Sequence, residues 1–203
     1  GQTWRVHTFT GSGTFTVQTA DQPFRVLVVG GGHPGERSYK NQRGGTGGRG
    51  GDVYASDAEI LGVGAHAVSI GSPANASTLG AISSTLGTAG GAGGGGSSSQ
   101  GADGKNGPAS DIAGAGSQHY AGGGGGGSFS RSSGDNYGRS AGGLTGGGEG
   151  GQAWYRQPPV AGTGGNGSPN TGGGGGGSGA TPTNEKPATT GGSGVVIVAY
   201  RIG

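Results

Sequence analysis

Six consecutive glycines occur twice in this chain, at Gly122–Gly127 and at Gly172–Gly177, and shorter glycine runs recur between them. A glycine run has no side chains to bury. It is also a poor helix former, by about 1 kcal/mol per residue relative to alanine. Such runs leave two structural options. They stay disordered as linkers, or they pack backbone against backbone at distances that a Cβ would forbid. Glycine makes up 59 of the 203 residues, against a usual level of ~7%.

The apolar residues are confined to the ends. Of 27 Val, Ile, Leu and Phe residues, nine lie between Val6 and Val29, nine between Val53 and Leu86, and five between Val195 and Ile202. Only Ile112, Phe129, Leu144 and Val160 fall in the long middle, which holds 41 glycines in 108 residues. Both ends therefore feed one core, and the middle is an insertion. The boundaries follow: 1–86 plus 195–203 as base, 87–194 as the glycine-rich part, all in one compact unit.

The ends read as strands. Segments 5–10 and 14–17 alternate with period two around Gly11-Ser12-Gly13, which predicts a hairpin. Segments 24–29 and 195–200 are continuous apolar runs, fit for buried strands. Segments 58–63 and 67–70 suggest two more. No segment has a helical period. The fold class is mostly β, with essentially no α-helix: a small antiparallel β-sandwich base formed by the N- and C-terminal strands, carrying an inserted bundle of packed polyglycine-II helices.

Period and spacing favour the bundle over a linker. Residues 44–52 are three Gly-Gly-X units and residues 147–152 are two. Three is the period of polyproline-II geometry, at ~3.1 Å per residue. The N–H and C=O groups of such a strand point sideways, so each needs neighbours. Side chains within a run should face outward.

Several classes are excluded or left without support. The chain has no cysteine, so it has no disulfide and no thiolate chemistry. No apolar stretch approaches the ~18 residues of a membrane span. The formal charge of +2 comes without a dense basic run, so neither nucleic-acid binding nor membrane insertion is indicated. Gly30-Gly31-Gly32-His33-Pro34-Gly35 fits GxGxxG after a strand, but the helix a dinucleotide site needs does not follow. The four histidines are scattered, and Asp103, Asn106 and Asp111 lack calcium-loop spacing. No catalytic constellation, cofactor or metal site is indicated, and the chain is not expected to be an enzyme.

The matching pieces Phe9-Thr10-Gly11-Ser12-Gly13-Thr14-Phe15-Thr16-Val17, Val26-Leu27-Val28-Val29-Gly30-Gly31-Gly32, Val68-Ser69-Ile70-Gly71, Thr78-Leu79-Gly80, Asn170-Thr171 before Gly172 to Gly177, and the closing Gly191-Gly192-Ser193-Gly194-Val195-Val196-Ile197-Val198-Ala199-Tyr200 run the length of the chain. In these pieces and their order the chain resembles the glycine-rich tail-fibre and minor tail proteins of tailed bacteriophages, tip adhesins among them. The resemblance implies a virion protein at a tail or tail-fibre tip, non-enzymatic, whose loops contact a bacterial surface glycan or outer envelope protein. It also implies contacts with other phage tail or fibre subunits, with a homotrimer natural for fibres and a monomeric tip equally open. The alternative is a structural tail spacer with no receptor contact. A compositional likeness to the glycine-rich domain of some animal receptor tyrosine kinases ranks lower, because that family is usually cysteine-containing.

Aromatics beside arginines are typical binding hot spots. The candidate receptor-binding residues are Arg37, Tyr39, Tyr120, Tyr137, Arg139, Trp154, Tyr155 and Arg156. If successive runs alternate in direction, loops 33–43, 152–160 and 180–190 lie distal to the base and 128–141 lies beside it; counting forward from run 89–96 puts 97–112 distal, with the broken segment 108–120 leaving the parity open.

Overall fold

The computed structural model describes residues 2–19, 22–114, 116–132, 134–155 and 158–202. In the base, β1 (Trp4–Phe9), β2 (Gly13–Val17), β3 (Phe24–Val29), β4 (Val53–Glu59), β5 (Gly64–Ser69), β6 (Thr78–Leu79) and β7 (Ile82–Ser83) precede one 3-10 turn at Ser84–Leu86. Among the described residues the glycine-rich part holds only the two-residue strands β8 (Ala109–Ser110), β9 (Gln118–His119), β10 (Asn136–Tyr137), β11 (Ala153–Trp154) and β12 (Val160–Ala161). The last strand, β13 (Val195–Arg201), returns to the base.

Two four-stranded antiparallel sheets form the base, in the orders β1-β13-β3-β4 and β2-β5-β6-β7. First and last strands pair from Trp4↔Arg201 to Phe9↔Val196, closing the unit as expected. The predicted hairpin does not form. β1 joins β13 in one sheet while β2 joins β5 in the other, so Gly11-Ser12-Gly13 turns a corner between sheets. The strand expected at 58–63 lies earlier, at Val53–Glu59, because Gly51-Asp52 ends a glycine run there.

The apolar runs are continuous because β3 and β13 are buried on both faces. Val26, Val28, Val196 and Val198 face Phe15, Val17, Phe24, Leu61, Val68 and Leu79 between the sheets. Leu27, Val29, Val195, Ile197 and Ala199 face outward and are covered by Val53, Ile112, Tyr120 and Ala121. The segment around β8 and β9 is therefore a strap over the base. Arg25 on β3 ties it down, bridging Asp57 on β4 at 2.7 Å and Asp111 on the strap.

Above the base, ten extended runs stand side by side among the described residues: 30–37, 44–52, 89–97, 101–107, 121–130, 138–143, 146–152, 162–168, 172–180 and 189–194. Their bonding has a strict period of three. In run 44–52 the N–H groups of Gly44, Gly47 and Gly50 donate to the carbonyls of Ser97, Gly94 and Gly91. Those of Gly45, Gly48 and Gly51 donate to Ser178, Gly175 and Gly172. The carbonyls of Thr46, Arg49 and Asp52 accept from Glu36, His33 and Gly30. The X residues of the Gly-Gly-X units thus lie on one side, where their side chains find room.

The pure glycine runs occupy the middle. Run 121–130 bonds to six neighbours: 44–52, 89–97, 101–107, 138–143, 146–152 and 172–180. Run 172–180 also bonds to six: 30–37, 44–52, 121–130, 146–152, 162–168 and 189–194. Both are buried along their whole length. This hexagonal packing leaves no room for a Cβ. One placed on Gly124 would stand 2.1 Å from the Gly175 carbonyl oxygen, and one on Gly126 2.1 Å from that of Gly95.

Two sequence boundaries move. Residues 30–52, assigned above to the base, form the first two runs of the bundle. The segment 138–152 is two runs rather than one, because Leu144-Thr145-Gly146 makes a tight turn with Thr145 at φ 52° and Gly146 at φ 103°. That added reversal places the described residues of 128–141 at the distal end, against the expected proximal position, and keeps 152–155 and 158–160 distal as expected. Segment 97–112 divides, with 97–100 distal and 108–112 on the base.

Candidate functional site: the distal loop face

Alternating run directions gather five loops at the end away from the base, and backbone bonds tie them into one face. Ser38 N–H donates to the Lys186 carbonyl at 3.1 Å, and Lys186 N–H donates to Ser38 Oγ at 2.8 Å. Asn184 Nδ2 donates to the Pro159 carbonyl at 3.0 Å, and Tyr155 N–H to the Asp135 carbonyl at 3.2 Å. Phe129 N–H donates to the Ser99 carbonyl at 2.8 Å. Phe129, fully buried, plugs the distal end of the central run, where the glycine lattice gives way to side chains.

Loop 37–43 is a tight reversal. Tyr39 and Arg43 bridge, the carbonyl of Tyr39 accepts from Gln42 and Arg43, and Asn41 takes φ 61°. The Arg37 guanidinium lies 4.8 Å from the Tyr39 ring centre and that of Arg43 5.8 Å. Glu36 Oε2 accepts from Arg43 Nη2 at 3.3 Å and from Thr46 N–H at 3.2 Å. Burial raises the Glu36 pKa, but the Thr46 and Arg43 contacts outweigh it, so the carboxyl is held below its ordinary value.

The second cluster is the three-stranded sheet β10-β11-β12. Trp154 stands opposite Asn136 and Val160, and Tyr137 opposite Ala153. Opposed residues share a face. Val160 is 38% exposed and Ala153 fully buried. Trp154 therefore lies on the outer face, half-buried and with its indole Nε1 out of reach of solvent, and Tyr137 on the face toward the bundle.

Not every candidate lies on this surface. Arg37, Tyr39, Trp154 and Tyr155 do; Tyr137 belongs to the distal sheet but is half-buried on its bundle-facing side. Tyr120 does not: it is only 6% exposed and packs in the outer core of the base, where burial raises its hydroxyl pKa. Arg139 sits on the bundle flank, paired with Glu149 at 2.9 Å. Arg156 lies outside the described residues. Loop 181–187 contributes Glu185 and Lys186, which the sequence reading placed distally without singling out. Neither has an aromatic neighbour in sequence to signal it.

Most of the residues considered for other chemistry have structural partners, and His7 packs its ring against Phe15 and Tyr200. Gly30–Gly35 belongs to the first run of the bundle. His66 Nε2 lies 2.8 Å from the Gly62 carbonyl, and His119 Nδ1 2.8 Å from that of Gly107. Asp103 and Asn106 accept backbone N–H groups of Ala141 and Leu144. Among the described residues no three His, Asp or Glu side chains gather into a metal-binding group.

A family model described as a glycine-rich domain matches residues 8–201. The chain belongs to the glycine-rich domain family. The match takes in nearly all of the base and the whole bundle, so this glycine-rich domain is the two together. A search of the curated proteins gives no match. The distal face of the glycine-rich domain offers cations, amides and aromatic surface on a backbone lattice, and such a surface suits binding.

Proposed function

We propose that this glycine-rich domain is a receptor-binding tip of a bacteriophage tail or tail fibre, acting by contact rather than catalysis. The observation that carries the reading is the convergence of the distal loops, with Tyr39, Trp154 and Tyr155, on one face of a densely hydrogen-bonded backbone scaffold. A rigid scaffold with loops at one end suits recognition, since loop residues change without disturbing the buried runs. The partner is a bacterial surface glycan or outer envelope protein, and the base faces other tail or fibre subunits. The sequence resemblance to phage tail-fibre and minor tail proteins supports the same reading.

The test is binding of the fluorescently labelled domain to host and non-host cells, with Trp154→Ala and Tyr155→Ala beside it. Saturable host-specific binding, reduced about tenfold or more in a variant that keeps its melting temperature, is the expected result. A folded domain that binds no cells would instead be a spacer or assembly element.

A further inference from the structure

Charge is distributed unevenly along the axis of the bundle. At the base end Arg25 is neutralised by Asp57 and Asp111 and Arg49 by Asp52 at 2.7 Å, while Arg5 and Arg201 form no salt bridge among the described residues. At the distal end Arg37, Lys40, Arg131 and Lys186 form no salt bridge among the described residues. The acids nearby are engaged with backbone. Asp135 Oδ2 accepts from the N–H groups of Arg131 and Ser132, and Glu185 Oε2 from that of Lys40.

Arg37 and Arg43 differ in what they leave free. Both guanidinium groups lie over Tyr39. The N–H edge of Arg43 is spent on Glu36 and Thr46. Stacking uses the face of a guanidinium and leaves its N–H edge to donate, in the fork that matches a carboxylate or phosphate. Arg37 thus lies against Tyr39 with no hydrogen bond or salt bridge drawn from its guanidinium N–H groups, while Arg43 is held by Glu36 and Thr46 beside the same ring. The Ser38–Lys186 backbone bonds bring the Lys186 loop beside Arg37.

Resting on the adhesin reading, we infer that this corner of the distal face binds the acidic groups of an anionic glycan. Arg37 is the directional donor, and Lys40 and Lys186 supply the surrounding positive field. Phosphate and carboxylate share the required chemistry.

The experiment uses the full 203-residue chain over immobilised lipoteichoic acid (phosphate), polygalacturonate (carboxylate), dextran (neutral) and duplex DNA. The expected result is saturable binding to an anionic glycan, at least about tenfold tighter than to dextran. Arg37→Gln/Lys186→Gln should weaken it about tenfold, while Arg5→Gln/Arg201→Gln, with the same change in net charge at the base, should change it less than about twofold. Raising salt from roughly 50 to roughly 300 mM should also weaken it severalfold, since exposed charges are screened. The phosphate and carboxylate arms identify the source. Equal loss in both double variants, equal binding to dextran, or DNA binding as tight as glycan binding would overturn the inference. Host-cell binding that survives Arg37→Gln/Lys186→Gln overturns the inference and leaves the adhesin reading standing. Glycan binding that depends on Arg37 without any host-cell binding overturns only the adhesin reading.

Discussion

The Asp103 carboxylate accepts the Ala141 backbone N–H at 2.7 Å, in the place that a backbone carbonyl takes elsewhere in the bundle. Three residues on, Asn106 Oδ1 does the same for Leu144 at 2.7 Å. The period of three passes from backbone to side chains at the margin of the lattice, where run 138–143 has fewer neighbours. Replacing both by alanine should cost about 1–2 kcal/mol, at about 1 kcal/mol per exposed bond. Thermal melting would measure it, and hydrogen exchange at Ala141 and Leu144 should rise while that at Gly124 does not.

Position in the lattice decides what a methyl group does. Gly124→Ala would force a Cβ to within 2.1 Å of the Gly175 carbonyl oxygen, backbone that cannot move without its own six-neighbour run. The expected loss is more than about 3 kcal/mol, or failure to fold. Gly95, in the peripheral run 89–97, has nothing within 4 Å of its Cβ position. Gly95→Ala should be neutral or stabilise by up to about 1 kcal/mol through the unfolded chain. Equal melting temperatures for the two variants would contradict hexagonal packing.

His33 predicts a pH dependence near neutrality. Burial first, then the Arg49 charge, lowers its pKa, with Asp52 opposing in part. The unfolded chain therefore takes up the proton first as pH falls below the ordinary value of 6.5. Stability is full above that value and declines below it until the folded-state pKa is passed. His33→Gln should flatten the melting temperature across this window, and a slope unchanged in the variant would assign it to other groups.

Glu36 acts in a lower window. Its folded pKa lies below the ordinary 4.5, burial being outweighed by Thr46 and Arg43. Its contribution is present above 4.5 and lost as pH falls through the folded value. The difference in stability between the native chain and Glu36→Gln should shrink over that range. Tyr39 fluorescence is not separable from that of the other tyrosines, so hydrogen exchange at Thr46 is the local readout.

The strap tests the reassignment of Tyr120. Arg25→Met removes both of its carboxylate contacts while keeping the stem. Exchange and proteolysis should increase around Ala109–Ala113, and binding at the distal face should not change. Loss of binding together with strap opening would mean that Tyr120 matters to recognition after all.

Much of this was legible in order of apolar content. β3 and β13 could be read because Val26–Val29 and Val195–Ala199 are buried on both faces and need no partner information. The central place of Gly122–Gly127 and Gly172–Gly177 follows from purity, since only runs without side chains tolerate six neighbours. The corner at Gly11-Ser12-Gly13 was not legible, because a flexible Gly-Ser-Gly serves a hairpin and a crossing equally well. The reversal at Leu144-Thr145 was missed because two residues in a glycine stretch look like an interruption. Tyr120 looked like a loop aromatic because the residues that bury it, Leu27 and Ile197, are distant in sequence.

The bonds between runs lie across the long axis of the bundle. A pull applied between the base and the distal face loads them in shear, many at once, instead of peeling them singly. Runs 30–37, 44–52 and 189–194 continue directly into β3, β4 and β13, and share the tension with the runs bonded to them. The lattice should therefore resist stretching more strongly than sideways splitting, as a bundle of cross-bonded rods does. A pulling experiment along this axis would be expected to extend the strap and the base before it lengthens the bundle.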